Sequence, residues 1–219
     1  MKLEAVTVCV DYSDWLCRCL ANRDKLDRWV IITHHSDIDT VRLCESYNLE
    51  YVLSKRVFAN DAWFAKGRAI NEGLGTLDRD GWLMSLDADL ILPKNFREVV
   101  EQEVTDKQTL YGSYRYDVLR NRMSQEERNG HPMPYGFFQL WHSSVFKEYV
   151  ENSVTGAIDD YDFSKKFGDR ITMLPLECRD VYGAQGHNKK NFYGVRTVCY
   201  THLRAHETLS YMGWRIARE

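Results

Sequence analysis

Several features that would classify this chain at once are missing from it. No run approaches the ~20 uncharged apolar residues of a membrane-spanning helix. The opening stretch MKLEAVTVCVDYSDW has one short apolar run, broken by Asp11, and lacks the longer apolar core and small-residue cleavage site of a secretory signal. None of the six cysteines (Cys9, Cys17, Cys19, Cys44, Cys178, Cys199) belongs to a CxxC pair. The spacing of Cys17 and Cys19 suits neither a zinc knuckle nor a disulfide framework, so reduced thiols in a cytoplasmic setting are expected. Basic residues are not in surplus either: the net charge is -3, which gives no global pull toward nucleic acid or anionic membrane. There is no internal repeat and no low-complexity tract.

What remains is an ordinary globular composition, 44% hydrophobic and 28% charged over 219 residues, enough for a full core and most economically a single domain, 1–219. The first half alternates strand and helix. Residues 5–10 read as a strand ending at Asp11, followed by a helix to Arg23 that Ser13 or Asp14 can cap. Strand 29–33, helix 37–47 and strand 49–53 complete a β-α-β-α-β unit, whose connections favour a parallel sheet with right-handed crossovers. Residues 62–74 read as a helix with Gly75 as its stop, and WLMSL begins a fourth strand. Then come a helix over 93–104, a strand over 109–116, an irregular polar stretch over 121–134 and a strand over 136–141. Beyond Val150 a short helix is expected in DDYDFSKKF, with strands at 171–174 and 195–200 and an amphipathic tail. The fold class is therefore α/β, a Rossmann-like mixed sheet flanked by helices, and such sheets bind ligands at the carboxyl ends of their strands.

In WLMSLDADLILP two aspartates follow an apolar strand. Alternate side chains of a strand share a face, so Asp87 and Asp89 can point one way while Ala88 points the other. Two carboxylates outside a strand's carboxyl end can hold a hard divalent cation, and through it a diphosphate. The other reading is a turn whose aspartates bond their own backbone.

The combination of hydrophobic strand, Asp-Ala-Asp, apolar triplet and Pro93, preceded by KGRAINEGL, resembles the donor-binding half of GT-A fold glycosyltransferases of the family 2 type. The resemblance implies that Lys66, Arg68 and Asn71 belong to the donor site and that Asp87 and Asp89 bind Mn2+ or Mg2+. It also implies that the loops after the first two strands, with Asp11, Tyr12, Asp37 and Asp39, hold the base and ribose of a nucleoside-diphosphate sugar, UDP-linked by preference. Physically, Asp11 can accept from a uracil N-H or a ribose hydroxyl and Tyr12 can stack, or the two are a helix cap and a packed ring. Lys66 and Arg68 either neutralise phosphate or decorate a solvated helix face.

The run Asp159, Asp160, Tyr161, Asp162, Phe163 resembles the acidic pair that the family carries under its acceptor site, with Asp in place of the usual Glu. The second acid maps to Asp160, as catalytic base; alternatively the run is a charged first helical turn. In GFFQLW, Trp141 is either a platform for a sugar ring or core. Relatives often place a histidine near the carboxyl end as a third metal ligand; here Gly183 or Ala184 stands at that point. His187 is the substitute, with Lys189 reaching a diphosphate, and His202 is its rival.

The implied activity is inverting transfer of a sugar from its nucleoside diphosphate, with residues 1–92 as the donor half and 93–219 as the acceptor half. The acceptor is open among saccharide, lipid-linked glycan, protein and modified DNA, and the oligomeric state is open too. A nucleotidyltransferase is a rival, but the Gly-rich phosphate loop after the first strand is absent, VDYSDW standing there. A non-catalytic nucleotide-sugar-binding module on the same fold is the other.

Overall fold

The computed structural model describes residues 1–58, 64–117, 122–124, 127–128, 131–132, 134, 136–151 and 159–181. Its centre is a run of strands buried on both faces, which is why they read as nearly continuous apolar segments rather than alternating ones. β1 (Leu3–Val8) pairs in parallel with β2 (Arg28–Thr33) on one side and β4 (Trp82–Leu86) on the other, and β2 pairs in parallel with β3 (Glu50–Leu53). On the far side of β4 the sheet reverses direction. β10 (Phe138–His142) runs antiparallel to β4 and to β6 (Leu110–Asp117). β11 (Ile171–Asp180) then pairs in parallel with β6 and antiparallel with the two-residue β5 (Leu90–Ile91). The order is β3-β2-β1-β4-β10-β6-β11-β5, with β7 (Arg122–Ser124) added to β6.

Successive strand residues feed two cores, one on each face. Leu3, Ala5, Trp29, Ile31, Met84 and Leu140 pack with α1 (Ser13–Arg18), α2 (Ile38–Ser46) and α4 (Phe96–Glu103) through Leu16, Cys44, Phe96 and Val100. Val6, Val30, Ile32, Leu83 and Trp141 pack with α3 (Lys66–Leu74) and α5 (Asp159–Lys165) through Ala69, Ile70, Leu74 and Phe163. The result is a three-layer α/β sandwich. No helix among the described residues is long and apolar enough to cross a membrane.

Several expected boundaries shift for identifiable reasons. The first strand starts at Leu3 because Glu4, polar but wholly buried, accepts from the backbone N-H groups of Asp78 and Arg79. The first helix ends at Arg18 and continues as a 3-10 segment, Leu20–Lys25. The third helix starts at Lys66, after Phe64 and Ala65, and the fourth at Phe96 rather than Pro93. The polar stretch expected to be irregular carries β7 and a small hairpin of β8 (Glu127–Arg128) and β9 (His131–Pro132). The expected strand 171–174 runs on to Asp180. Pro175 cannot donate to the ladder, and β11 passes it by a register shift between Met173 and Glu177. The strand expected at 195–200 and the amphipathic tail lie outside the described residues.

Candidate active site

The carboxyl ends of β1, β2 and β4 lie together, and the loops that leave β1, β2 and β4 hold Asp11, Tyr12, Asp37, Asp87 and Asp89 of the expected site residues. β4 stops at Leu86, so Asp87 and Asp89 are not alternating residues of a strand, as expected from sequence. They flank Ala88 in a turn, closed by Leu90 N donating to Asp87 O at 3.4 Å, that redirects the chain from the β4 ladder to β5. Asp87 N also donates to Phe137 O at 3.0 Å, which ties the turn to the start of β10. The two carboxylates still lie close enough for the charge of Asp87 to act on Asp89. Burial first, then the charges of Asp87 and Asp180, push the Asp89 carboxyl up to about 7, and Arg115 only partly offsets them.

Lys66 opens α3 and reaches Asp87. Its ammonium donates to Asp87 Oδ1 at 2.7 Å and to the carbonyl of Gly136 at 3.1 Å, and it stands 3.7 Å from Asp160 Oδ2. Burial alone would lower the Lys66 pKa, but the carboxylates of Asp160 and Asp87 hold it well above its ordinary value. Asp160, near the start of α5, is the fourth group. Burial pushes its carboxyl up to about 6 against the pull of Lys66, with Asp87 and Asp159 adding to the rise. Its backbone is held from beneath: Gln139 Nε2 and Ser164 Oγ both donate to Asp160 O, at 3.1 and 2.9 Å, and Tyr149 OH donates to Gln139 Oε1. Its carboxylate fills the space beside Gly136, where a Cβ would lie 1.7 Å from Oδ2. Asp160 Oδ1 is buried with no hydrogen-bond partner among the described residues.

The other members of the KGRAIN helix point elsewhere. At about 100° per residue, Arg68 lies about 200° round the helix from Lys66, while Asn71 falls about 60° from Arg68. Arg68 Nε donates to Glu151 O at 2.5 Å. The Asn71 amide donates to Tyr149 O and accepts from Tyr149 N, at 3.0 and 2.8 Å. Both side chains thus bind the 149–151 segment, and Lys66 alone of the three meets the aspartates. Trp141 is also core and no platform: it is wholly buried on β10, edge-on to Phe163 and Tyr149, which stack on each other with centroids 4.0 Å apart.

After β1, Asp11 sits exposed in the left-handed region at φ 58°, a conformation that Asp tolerates better than most residues. Its backbone N-H donates to Asp37 Oδ2 at 2.8 Å; the same oxygen accepts from Thr33 Oγ1, and Oδ1 accepts from Thr40 N, capping α2. Asp37 is therefore buried and engaged, whereas Asp39 is exposed in the first turn of α2. Burial, then Asp37 and Asp39, raises the Asp11 pKa. Tyr12 lies close enough to Asp89 and Asp87 for their charges to add to burial in raising its hydroxyl pKa.

Two members of this cluster escaped sequence reasoning. Asp180, buried at the end of β11, lies 3.9 Å from Arg115 Nη1, and both act on Asp89; Arg115 stacks over Phe137 with its guanidinium 4.9 Å from the ring centre. The only available signal was the apolar alternation through Leu174, Leu176 and Cys178, which marks the strand as longer than its first four residues. His187, Lys189 and the rival His202 lie outside the described residues.

Among the described residues no group of three His, Cys, Asp or Glu side chains is set to hold a metal ion. Asp87 and Asp89 nevertheless fit a divalent cation of the hard class, which takes one or two carboxylates and completes its shell with water and phosphate oxygens. The half-buried Asp89, whose ionised form its surroundings disfavour, is the kind of group such a charge would stabilise.

No protein-family model matches the chain, and no curated protein matches it by sequence. Solved structures do. Mannosyl-3-phosphoglycerate synthase from Rubrobacter xylanophilus matches with a TM-score of 0.57 at 15% identity, over 95% of this chain and 75% of its own. Glucosyl-3-phosphoglycerate synthase from Mycobacterium tuberculosis, in complex with Mn2+ and UDP-glucose, matches with a TM-score of 0.51 at 15% identity, over 80% of this chain and 69% of its own. The same enzyme with phosphoglyceric acid matches at 0.51 and 15%, over 80% and 70%. At such identities the likeness speaks for architecture, and in architecture this chain has the GT-A fold of nucleotide-sugar-dependent glycosyltransferases.

Proposed function

We propose that this protein is a glycosyltransferase that moves a sugar from a nucleoside-diphosphate sugar, UDP-linked by preference, to an acceptor hydroxyl. The observation that carries the reading is the meeting of Lys66, Asp87 and Asp160, drawn from three separate elements, outside the carboxyl end of β4. A cation shared by two carboxylates suits a reaction in which negative charge develops on a leaving diphosphate. UDP-glucose and Mn2+ bound to a structure of the same fold support the donor and the metal.

In this reading Asp87 and Asp89 would hold Mn2+ or Mg2+, and the ion would supply positive charge to offset that of a leaving diphosphate. Lys66 fixes Asp87 and adds positive charge beside it. Asp160 takes the proton of the acceptor hydroxyl, whose oxygen attacks the anomeric carbon opposite the diphosphate and inverts it. Tyr12 and Asp11 face the donor, and Asp37 shapes their loop rather than touching it. Arg68 and Asn71 support α3 and contribute no phosphate contact. Residues 1–92 form the donor half and 93–219 the acceptor half of one domain, with His187 and Lys189 closing the metal and diphosphate side. The free thiols of Cys9, Cys17, Cys19, Cys44 and Cys178 suit a cytoplasmic setting.

A screen of UDP- and GDP-sugars for manganese-dependent release of nucleoside diphosphate tests the proposal. Release that stops with a chelator and returns with Mn2+ is expected. Turnover of a nucleoside triphosphate to pyrophosphate, or nucleotide-sugar binding that never leads to release, overturns it. A product of retained configuration removes Asp160 from the role of base.

A further inference from the structure

We propose that Asp159 is a positioning residue: by capping α3 from α5, its carboxylate sets the separation of Lys66 and Asp160 across the site. The inference rests on the reading of Asp160 as the proton acceptor. A helix is usually capped by the residue just before its first turn, but Ala65 stands there and its side chain offers no acceptor. The acceptor comes instead from 92 residues further along the chain, Gly67 N donating to Asp159 Oδ2 at 2.8 Å. Each partner of this bond is the immediate neighbour of a site residue, Lys66 on one side and Asp160 on the other. One hydrogen bond thus fixes the starts of two helices against each other at the point where ammonium and carboxylate stand 3.7 Å apart.

The local sequence is built for this contact. Gly67 has no side chain to hold α5 off: a Cβ there would lie 2.8 Å from Val150 O and 3.0 Å from Asp159 Oδ2. Asp159 is itself only 1% exposed, so it is not available to an acceptor from solution. A buried carboxylate on the amino end of a helix accepts a charge-assisted bond, stronger than a neutral one and favoured by the helix dipole. The two acids of AIDDYDF therefore divide the work, the first holding α3 and the second facing the reacting hydroxyl.

The test is steady-state kinetics of wild type, Asp159→Ala, Asp159→Asn and Gly67→Ala, with nucleotide-sugar binding and thermal midpoint measured on each. Asp159→Ala is expected to lower kcat about a hundredfold, the scale of an ångström-sized misplacement, with the KM for nucleotide sugar little changed. Asp159→Asn keeps an acceptor oxygen and recovers most of kcat, while Gly67→Ala, which presses on the same contact, follows Asp159→Ala. Should Asp159→Ala not fold, a high kcat in Asp159→Asn with a low one in Gly67→Ala carries the same conclusion. A folded Asp159→Ala protein with wild-type kcat overturns the inference, as does equal loss in the Ala and Asn variants. A wild-type protein that releases no nucleoside diphosphate from any nucleotide sugar overturns the transferase reading instead.

Discussion

Lys66 and Asp160 stand 3.7 Å apart although they lie in the first turns of two different helices, and the ammonium is the only cation that meets the Asp160 carboxylate among the described ion pairs. Burial has already raised that carboxyl to about 6, and the pull of Lys66 limits the rise. Activity that needs ionised Asp160 therefore increases as pH rises through about 6. Replacing Lys66 by Gln removes the pull, so the acid limb of kcat/KM is expected to move to higher pH as the maximal rate falls. A pH-rate profile of the two proteins checks both effects.

Asp160→Asn has opposite consequences for rate and for stability. Loss of the proposed base is expected to lower kcat by about 10²–10⁴-fold, the usual contribution of a general base, with donor affinity kept. The folded carboxyl titrates near 6 against an ordinary value of 3.8, so its ionised form is the one disfavoured by folding. Its contribution is most favourable below the unfolded value and declines as pH rises through 6. The Asn variant escapes that decline and is expected to be more stable than wild type at pH 8, by on the order of 1–3 kcal/mol, with no such gain at pH 3. Denaturant titrations at the two pH values decide it.

Arg68→Ala and Asn71→Ala separate scaffold from site on α3. Each breaks bonds to the 149–151 backbone and leaves part-buried partners unsatisfied, so each is expected to destabilise by about 1–3 kcal/mol. The KM for nucleotide sugar is expected to stay near wild type in both, whereas Lys66→Gln raises it. Thermal midpoints and donor saturation curves of the three variants test this division.

Glu4→Gln probes the opposite end of the sheet. Glu4 is wholly buried, accepts from Asp78 N and Arg79 N, and lies 4.0 Å from Lys2 and 3.8 Å from Arg28. Removing its charge while keeping its shape is expected to cost about 1–3 kcal/mol in stability, with kcat unaltered. Wild-type stability in urea would contradict the role assigned to this network.

The parallel half of the sheet was legible because doubly buried strands are mostly apolar, and residues 29–33 and 82–86 are so apart from Thr33 and Ser85. Boundaries slipped where a polar residue is buried or a breaker is tolerated. Glu4 hid the start of β1, and Pro175 hid the second half of β11 together with Asp180. The candidate site could be proposed from residue types, but its geometry could not. Lys66, Arg68 and Asn71 look equivalent in a motif, yet helical rotation sends one to the aspartates and two to the 149–151 segment. Asp159 was marked only as the first acid of a pair and Arg115 gave no local signal, since their partners are brought to them only by the crossing of elements distant in the chain.

Asp37 carries one further consequence. Its carboxylate takes the N-H of Asp11, the hydroxyl of Thr33 and the N-H of Thr40, joining the turn after β1 to the end of β2 and the start of α2. These bonds are made within the protein alone, so the turn that holds Asp11 at its unusual φ needs no visitor to shape it. A molecule docking there meets a surface already in its final form, and loses less affinity to the ordering of loops than it would on a slack one.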